Sequence, residues 1–150
     1  MEFYNQRRKQ LLQVSPNSAH CAISSLEKTH KVTIITQNVD DLHERAGSSS
    51  VLHLHGELLK SRSSINENLI YSCNSDIKIG DLCELNSQLR PHIVWFGEAV
   101  PMIEKAIDVC MTADILVIIG TSMQVYPAAS LIHYVPENTQ TYFIDPKPAL

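Results

Sequence analysis

The stretch VLHLHGELLKSRSS, residues 51 to 64, decides how the rest of the chain is read. His53 and His55 stand two residues apart in a strand-like run, and such residues point to one face. A shared metal ion is one reading of that spacing. The other takes Gly56 and Glu57, directly after His55, as a strand end that opens into a cleft. No third ligand follows at a metal-like spacing. His55 is then either a core histidine bonded to backbone or a general base, a task imidazole suits because it titrates near neutrality.

Outward from this stretch, strand and helix signals alternate. Upstream, KVTIIT (31 to 36) is a short β-branched apolar run and reads as a buried strand. VDDLHERAG reads as a loop or short helix ending at Gly47, with His43 supporting the loop. Before it, FYNQRRKQLLQ predicts a helix over 3 to 13. Ser15-Pro16 predicts the start of a second helix that runs to about Lys28. Downstream, residues 60 to 88 are polar without a sustained period and are expected to form a small subdomain or long loop, an insertion of about 60–90 within a single domain 1–150. HIVWF (92 to 96) reads as a return to apolar strand. Met102 to Cys110 predicts an amphipathic helix, DILVIIG a buried strand, PAASLIHYV a helix and TYFID a final strand. This order implies an α/β fold with an open, mostly parallel sheet.

Ligands of such sheets bind at the carboxyl ends of the strands. Those ends are Gln37, Asn38 and Asp40; His55, Gly56 and Glu57; Gly97 and Glu98; Gly120, Thr121 and Ser122; and Asp145. Gly-Thr-Ser after a strand can present backbone N–H groups and hydroxyls to a phosphate or ribose, and is also a common turn. Asp145 can accept ribose hydroxyls or simply form an Asp-Pro turn. Tyr4 and Arg7 share a helix face, where phenol and guanidinium can grip a carboxylate or make an ordinary surface contact.

Bulk properties exclude several classes. A chain of 150 residues, 44% apolar and 19% charged, is an ordinary globular composition. A net charge of −4 argues against a general nucleic-acid binder. No run of about 18 apolar residues suggests a membrane span, and the polar N-terminal stretch makes the cytoplasm the expected location. Cys21, Cys73, Cys83 and Cys110 form no CxxC pair and read as reduced structural thiols.

TQNVDDLHERAG, VLHLHGEL, VWFGE, GTSMQVYPAA and the PNSAH helix start, in this order and spacing, resemble the sirtuins, NAD-dependent protein lysine deacylases. FYNQRR carries a Tyr-x-x-Arg pair and is similar to the bacterial desuccinylase and demalonylase class. The resemblance implies a Rossmann-like parallel sheet flanked by helices, with NAD as cofactor and acylated lysine as substrate. It implies that His55 is the catalytic base and that Asn38 serves catalysis and cofactor binding beside Gln37, Val39 and Asp40. It further implies adenosine-side contacts from Gly120, Thr121, Ser122, Asp145, Pro146 and Lys147. Val94, Phe96, Gly97 and Glu98 would receive the peptide as an added strand. Tyr4 and Arg7 would bind the distal carboxylate of a succinyl or malonyl group. In the implied reaction the acyl oxygen attacks the nicotinamide ribose, nicotinamide leaves, and the acyl group ends on ADP-ribose.

Members of the family also carry a first strand with a GAGxS phosphate loop and two CxxC zinc pairs, which have no counterpart in these residues. The expectation is therefore an incomplete sheet, no zinc, weakened turnover and self-association through an exposed sheet edge. A non-catalytic module for acylated or acidic peptides, or a fragment without function, are the rival readings.

Overall fold

The computed structural model describes residues 1–146 and divides into two units, Met1–Glu98 and a second beginning at Ala99. Each is described by itself.

The first unit opens with helix α1, Glu2–Leu11, and helix α2, Ser18–Leu26. The cap of α2 is Asn17, not the expected Ser15-Pro16 pair. Asn17 Oδ1 accepts from the backbone N–H of Ala19 (2.9 Å) and His20 (3.1 Å), so one carboxamide satisfies two orphan donors of the first turn. Strands β1, Ile34–Thr36, and β2, Val51–His53, pair in parallel around the short helix α3, Leu42–Arg45. His20 and His43 bring α2 and α3 together with ring centroids 4.7 Å apart.

Three further strands form a separate antiparallel sheet in the order β4-β3-β5: β3 is Gly56–Ser63, β4 is Ile70–Ser72 and β5 is Leu89–Ile93. Residues 60–63 and 70–72, within the segment expected as a small subdomain or long loop, are strands of this sheet; Ser61, Arg62 and Ser63 are buried there and leave no apolar alternation to read. One sequence expectation changes here. The expected HIVWF strand begins earlier, at Leu89, ends at Ile93 and runs antiparallel to β3, so its end is not one of the parallel carboxyl ends. Pro91 sits beside an irregularity between Glu57 and Ser61, a place where a strand tolerates a missing donor. The residues of that irregularity bond elsewhere: Leu58 N donates to Val39 O, and Leu59 O accepts from Cys73 N.

The core of this unit gathers Leu11, Leu58 and Ile93, with Tyr4, Val39, Leu42 and Leu59 packed on it. Helix α1 is anchored by polar bonds as well. Asn5 makes a reciprocal pair with the backbone of Ile77, both bonds 3.0 Å long. Arg8, 1% exposed, donates to Leu58 O (2.9 Å), Asn5 Oδ1 (2.9 Å) and Ser75 O (3.2 Å). A guanidinium this deep needs such a fan of acceptors to offset its lost hydration.

In the second unit helix α4, Ile103–Cys110, buries Ala106 and Cys110 and packs on a helix of the 3₁₀ kind, Ala128–Tyr134, within the stretch expected to be helical. Strands β6, Ile115–Ile119, and β7, Gln140–Ile144, pair in parallel, with Ile119 opposite Ile144. Among the described residues no helix is long and apolar enough to cross a membrane.

Candidate active site

In the first unit, the loop after β1 is held by three successive carbonyls. His55 Nδ1 reaches Gln37 O at 3.1 Å, His53 Nδ1 reaches Asn38 O at 3.3 Å, and Leu58 N reaches Val39 O at 2.7 Å. Within the loop, Asn38 N donates to Thr36 Oγ1 (3.0 Å) and Leu42 N to Asp40 Oδ1 (3.1 Å). These bonds fix the backbone and leave the Asn38 side chain exposed.

The two histidines do different work. His53 Nε2 meets Glu44 Oε1 at 2.7 Å, so both of its ring nitrogens tie the loop and α3 to β2. A carbonyl can only accept, so the His55 contact to Gln37 O assigns the proton of the neutral ring to Nδ1 and the lone pair to Nε2. That is the arrangement of an oriented imidazole base. Among the described residues no group of three or more His, Cys, Asp or Glu side chains is placed to hold one ion.

Directly after His55, Gly56 has φ +85° and pairs with Ile93 of β5. The carbonyl of His55 accepts from Val94 N (2.9 Å), which joins it to the segment Val94–Glu98. This segment is a turn, not a strand. Glu98 N donates to Trp95 O (3.0 Å), Gly97 adopts φ +88°, and Phe96 is 99% exposed. Trp95 lies stacked near Tyr4, with centroids 6.4 Å apart and an interplanar angle of 24°. Arg7 is exposed, donates to Gln10 Oε1 and lies 5.5 Å over the Phe3 ring.

Glu98 closes the turn. Its carboxylate accepts from Arg90 Nη1 (2.7 Å) and Nη2 (3.1 Å), from Trp95 N (2.9 Å) and from Arg62 Nη2 (3.3 Å). The hydrogen bonds from Arg90, outweighing burial and joined by the Trp95 N–H and Arg62, hold this carboxyl at about 2 against an ordinary 4.5. A carboxyl lowered on folding stabilises the fold above its unfolded pKa and loses that contribution as pH falls through the folded one. Wild type should therefore exceed Glu98→Gln in stability above pH 4.5, with the gap closing between pH 4.5 and 2. Urea midpoints across that range check it, and a gap that stays constant with pH would contradict it.

In the second unit, Gly120, Thr121 and Ser122 follow β6, and Asp145 and Pro146 follow β7. Gly120 N donates to Ile144 O (3.1 Å), so these two strand ends are neighbours. Thr121 Oγ1 accepts from Met123 N (3.3 Å). Lys147 lies outside the described residues. Sequence reasoning singled out neither Asn5 and Arg8 nor Arg90 and Arg62. Asn5, Arg8 and Arg62 are buried with partners distant in sequence, and Arg90 is half-buried by the turn that follows it; no local pattern signals either.

Parallel strand pairs flanked by helices, with polar and glycine residues at their carboxyl ends, define a Rossmann-like α/β protein. Comparison with known proteins narrows the class: a family model described as the Sir2 family matches residues 1–127, and the chain belongs to that family. An NAD-dependent protein deacylase of Helicobacter pylori is 59% identical over 147 residues, covering 98% of this chain and 64% of that protein. One of the same name from Bacteroides thetaiotaomicron is 56% identical over 154 residues, covering 99% of this chain and 66% of its own length. The chain thus spans just under two thirds of these relatives. Among solved structures, a Sir2 homolog–NAD complex aligns with a TM-score of 0.88 at 39% identity, over 97% of this chain and 59% of that one. A Sir2 bound to acetylated peptide aligns at 0.82 and 32% identity, over 93% of this chain and 63% of that one.

Proposed function

We propose that this chain carries the base and the acyl-lysine contacts of an NAD-dependent protein lysine deacylase. The observation that supports this most is the hydrogen bond from His55 Nδ1 to Gln37 O, which turns the Nε2 lone pair into an oriented proton acceptor. The donor set around it suits a nicotinamide riboside. The carboxamides of Gln37 and Asn38 both donate and accept, the Asp40 carboxylate accepts, and Val39 packs the loop on the core. Gly120, Thr121, Ser122, Asp145 and Pro146, with Lys147 beyond them, are the proposed adenosine-side residues of the second unit.

When bound, NAD supplies an electrophilic sugar carbon with nicotinamide as leaving group and ADP-ribose as acyl acceptor. His55 Nε2 takes the proton of a ribose hydroxyl, while its Nδ1–H, fixed on Gln37 O, keeps the ring from turning. Phe96 and Gly97, on the turn Val94–Glu98, meet the peptide. Tyr4 and Arg7 offer a phenol and a guanidinium to an acyl group that ends in a carboxylate, a chemistry that favours charge-assisted hydrogen bonds.

The test is release of nicotinamide and of free lysine peptide when the chain is mixed with NAD and a succinyl-lysine peptide. Both products should form, and only with NAD present. A folded chain that binds the peptide yet forms neither product would replace this reading with that of a peptide-binding module.

A further inference from the structure

Arg90 bonds to the turn on which the proposed substrate contacts lie, through Glu98, Ile93 and Trp95. We propose that Arg90 is a positioning residue for substrate: it locks Val94–Glu98 and, through Trp95, sets the Tyr4 ring. This rests on the deacylase reading above, which it extends by one residue of stated role.

The geometry is a stack closed by a clamp. The Arg90 guanidinium lies flat enough on the indole of Trp95 that Cζ is 3.5 Å from the ring centroid. Trp95 in turn stacks near Tyr4, with centroids 6.4 Å apart. The edge of the guanidinium grips both oxygens of Glu98, and Nη2 also donates to Ile93 O at 2.9 Å. One side chain thereby holds the first residue before the turn, an indole within it and the carboxylate that ends it. Its side chain is 14% exposed, and Arg62, at 9%, backs the same carboxylate from β3. A planar fork with a π face is needed for all of these at once. Lysine has neither. With the clamp undone, Gly97 would let the turn relax, and Phe96 and Tyr4 would lose their fixed separation.

Trp95 is the single tryptophan of the chain, so its emission reports this stack without a label. The experiment compares wild type, Arg90→Gln and Arg90→Lys for binding of a succinyl-lysine peptide without NAD, for Trp95 emission and for the urea midpoint. Expected is a red shift of emission and a peptide affinity lower by about tenfold in Arg90→Gln, the scale of a lost charged hydrogen-bond pair. Arg90→Lys should keep the fold, retain charge and recover only part of the affinity. Where NAD turnover is measured, KM should rise and kcat should hold. Peptide affinity equal to wild type in a folded Arg90→Gln, or full recovery in Arg90→Lys with unchanged emission, would overturn the role. Should Arg90→Gln fail to fold, Arg90→Lys alone decides by the same affinity and emission criteria. A wild type that binds no acyl peptide overturns the deacylase reading instead, and the substrate role of Arg90 falls with it.

Discussion

His55→Ala should lower NAD-dependent nicotinamide release by about a hundredfold to ten-thousandfold, the range over which a positioned general base acts. The substitution removes two things at once: the Nε2 lone pair and the Nδ1–H donated to Gln37 O. The second loss touches the fold only lightly. Asn38 O and Val39 O keep their partners in His53 and Leu58, so the loop retains two of its three ties. One neutral hydrogen bond contributes about 1 kcal/mol to stability. A large fall in rate with a small fall in urea midpoint is therefore the signature of a base rather than a strut. Quantifying nicotinamide by chromatography beside a denaturation curve reads both. A folded His55→Ala that turns over at the wild-type rate would remove His55 from the chemistry.

The second large effect is on the residue that follows. Gly56→Ala should unfold the chain or shift its midpoint drastically, because two independent costs coincide. The backbone sits at φ +85°, and a Cβ built there would lie 2.1 Å from His92 O and 2.9 Å from His92 C. Those are backbone atoms of β5, which cannot rotate away. Left-handed φ costs a non-glycine residue about 1–2 kcal/mol, and forcing atoms into filled space adds about 1–3 kcal/mol or more. Gly97→Ala separates the two, since φ there is +88° but no heavy atom lies within 4 Å of the new Cβ. Its destabilisation should be the conformational part alone, about 1–2 kcal/mol. Equal midpoints for the two variants would mean that β3 and β5 do not approach as closely as described.

Gly56 also explains what the opening stretch encodes. The sequence places the strand end at His55-Gly56; the parallel strand stops two residues earlier, at His53, and Gly56 instead opens the next strand. The structure adds the reason for the glycine: the chain turns from the parallel pair into an antiparallel sheet packed against the carbonyl of His92. The parallel strands β1 and β6 were legible because they are β-branched and mostly apolar runs. The antiparallel sheet was not, because the second half of β3 buries Ser61, Arg62 and Ser63, with Arg62 and Ser63 bonded to Glu98 and Ser87 far along the chain. Leu89–Ile93 was misplaced by three residues for a related cause. Its apolar sequence continues through Trp95 and Phe96, but Glu98 captures the Trp95 N–H and bends the backbone away. The loop Gln37 to Asp40 and His55 do meet in the first unit, as the strand-end rule suggests; Gly120 to Ser122 and Asp145 neighbour one another in the second. What no period or propensity could reveal is the set Asn5, Arg8 and Arg62, whose roles exist only once distant carbonyls and carboxylates are in place, and Arg90, whose role needs the turn after β5 to fold back on it.

Helix α1 divides its labour by one residue of phase. Asn5 and Arg8 are committed inward to Ile77, Leu58 and Ser75, whereas Arg7 touches only Gln10 and Phe3 of its own helix. The inward anchors of the helix, Asn5 and Arg8, do not involve the exposed side chain at that position. On the proposed function, selection or a designer can therefore rewrite the head group offered to an acyl chain while the scaffold beneath it stays constant. Evolvability at this surface is a property of helical phase.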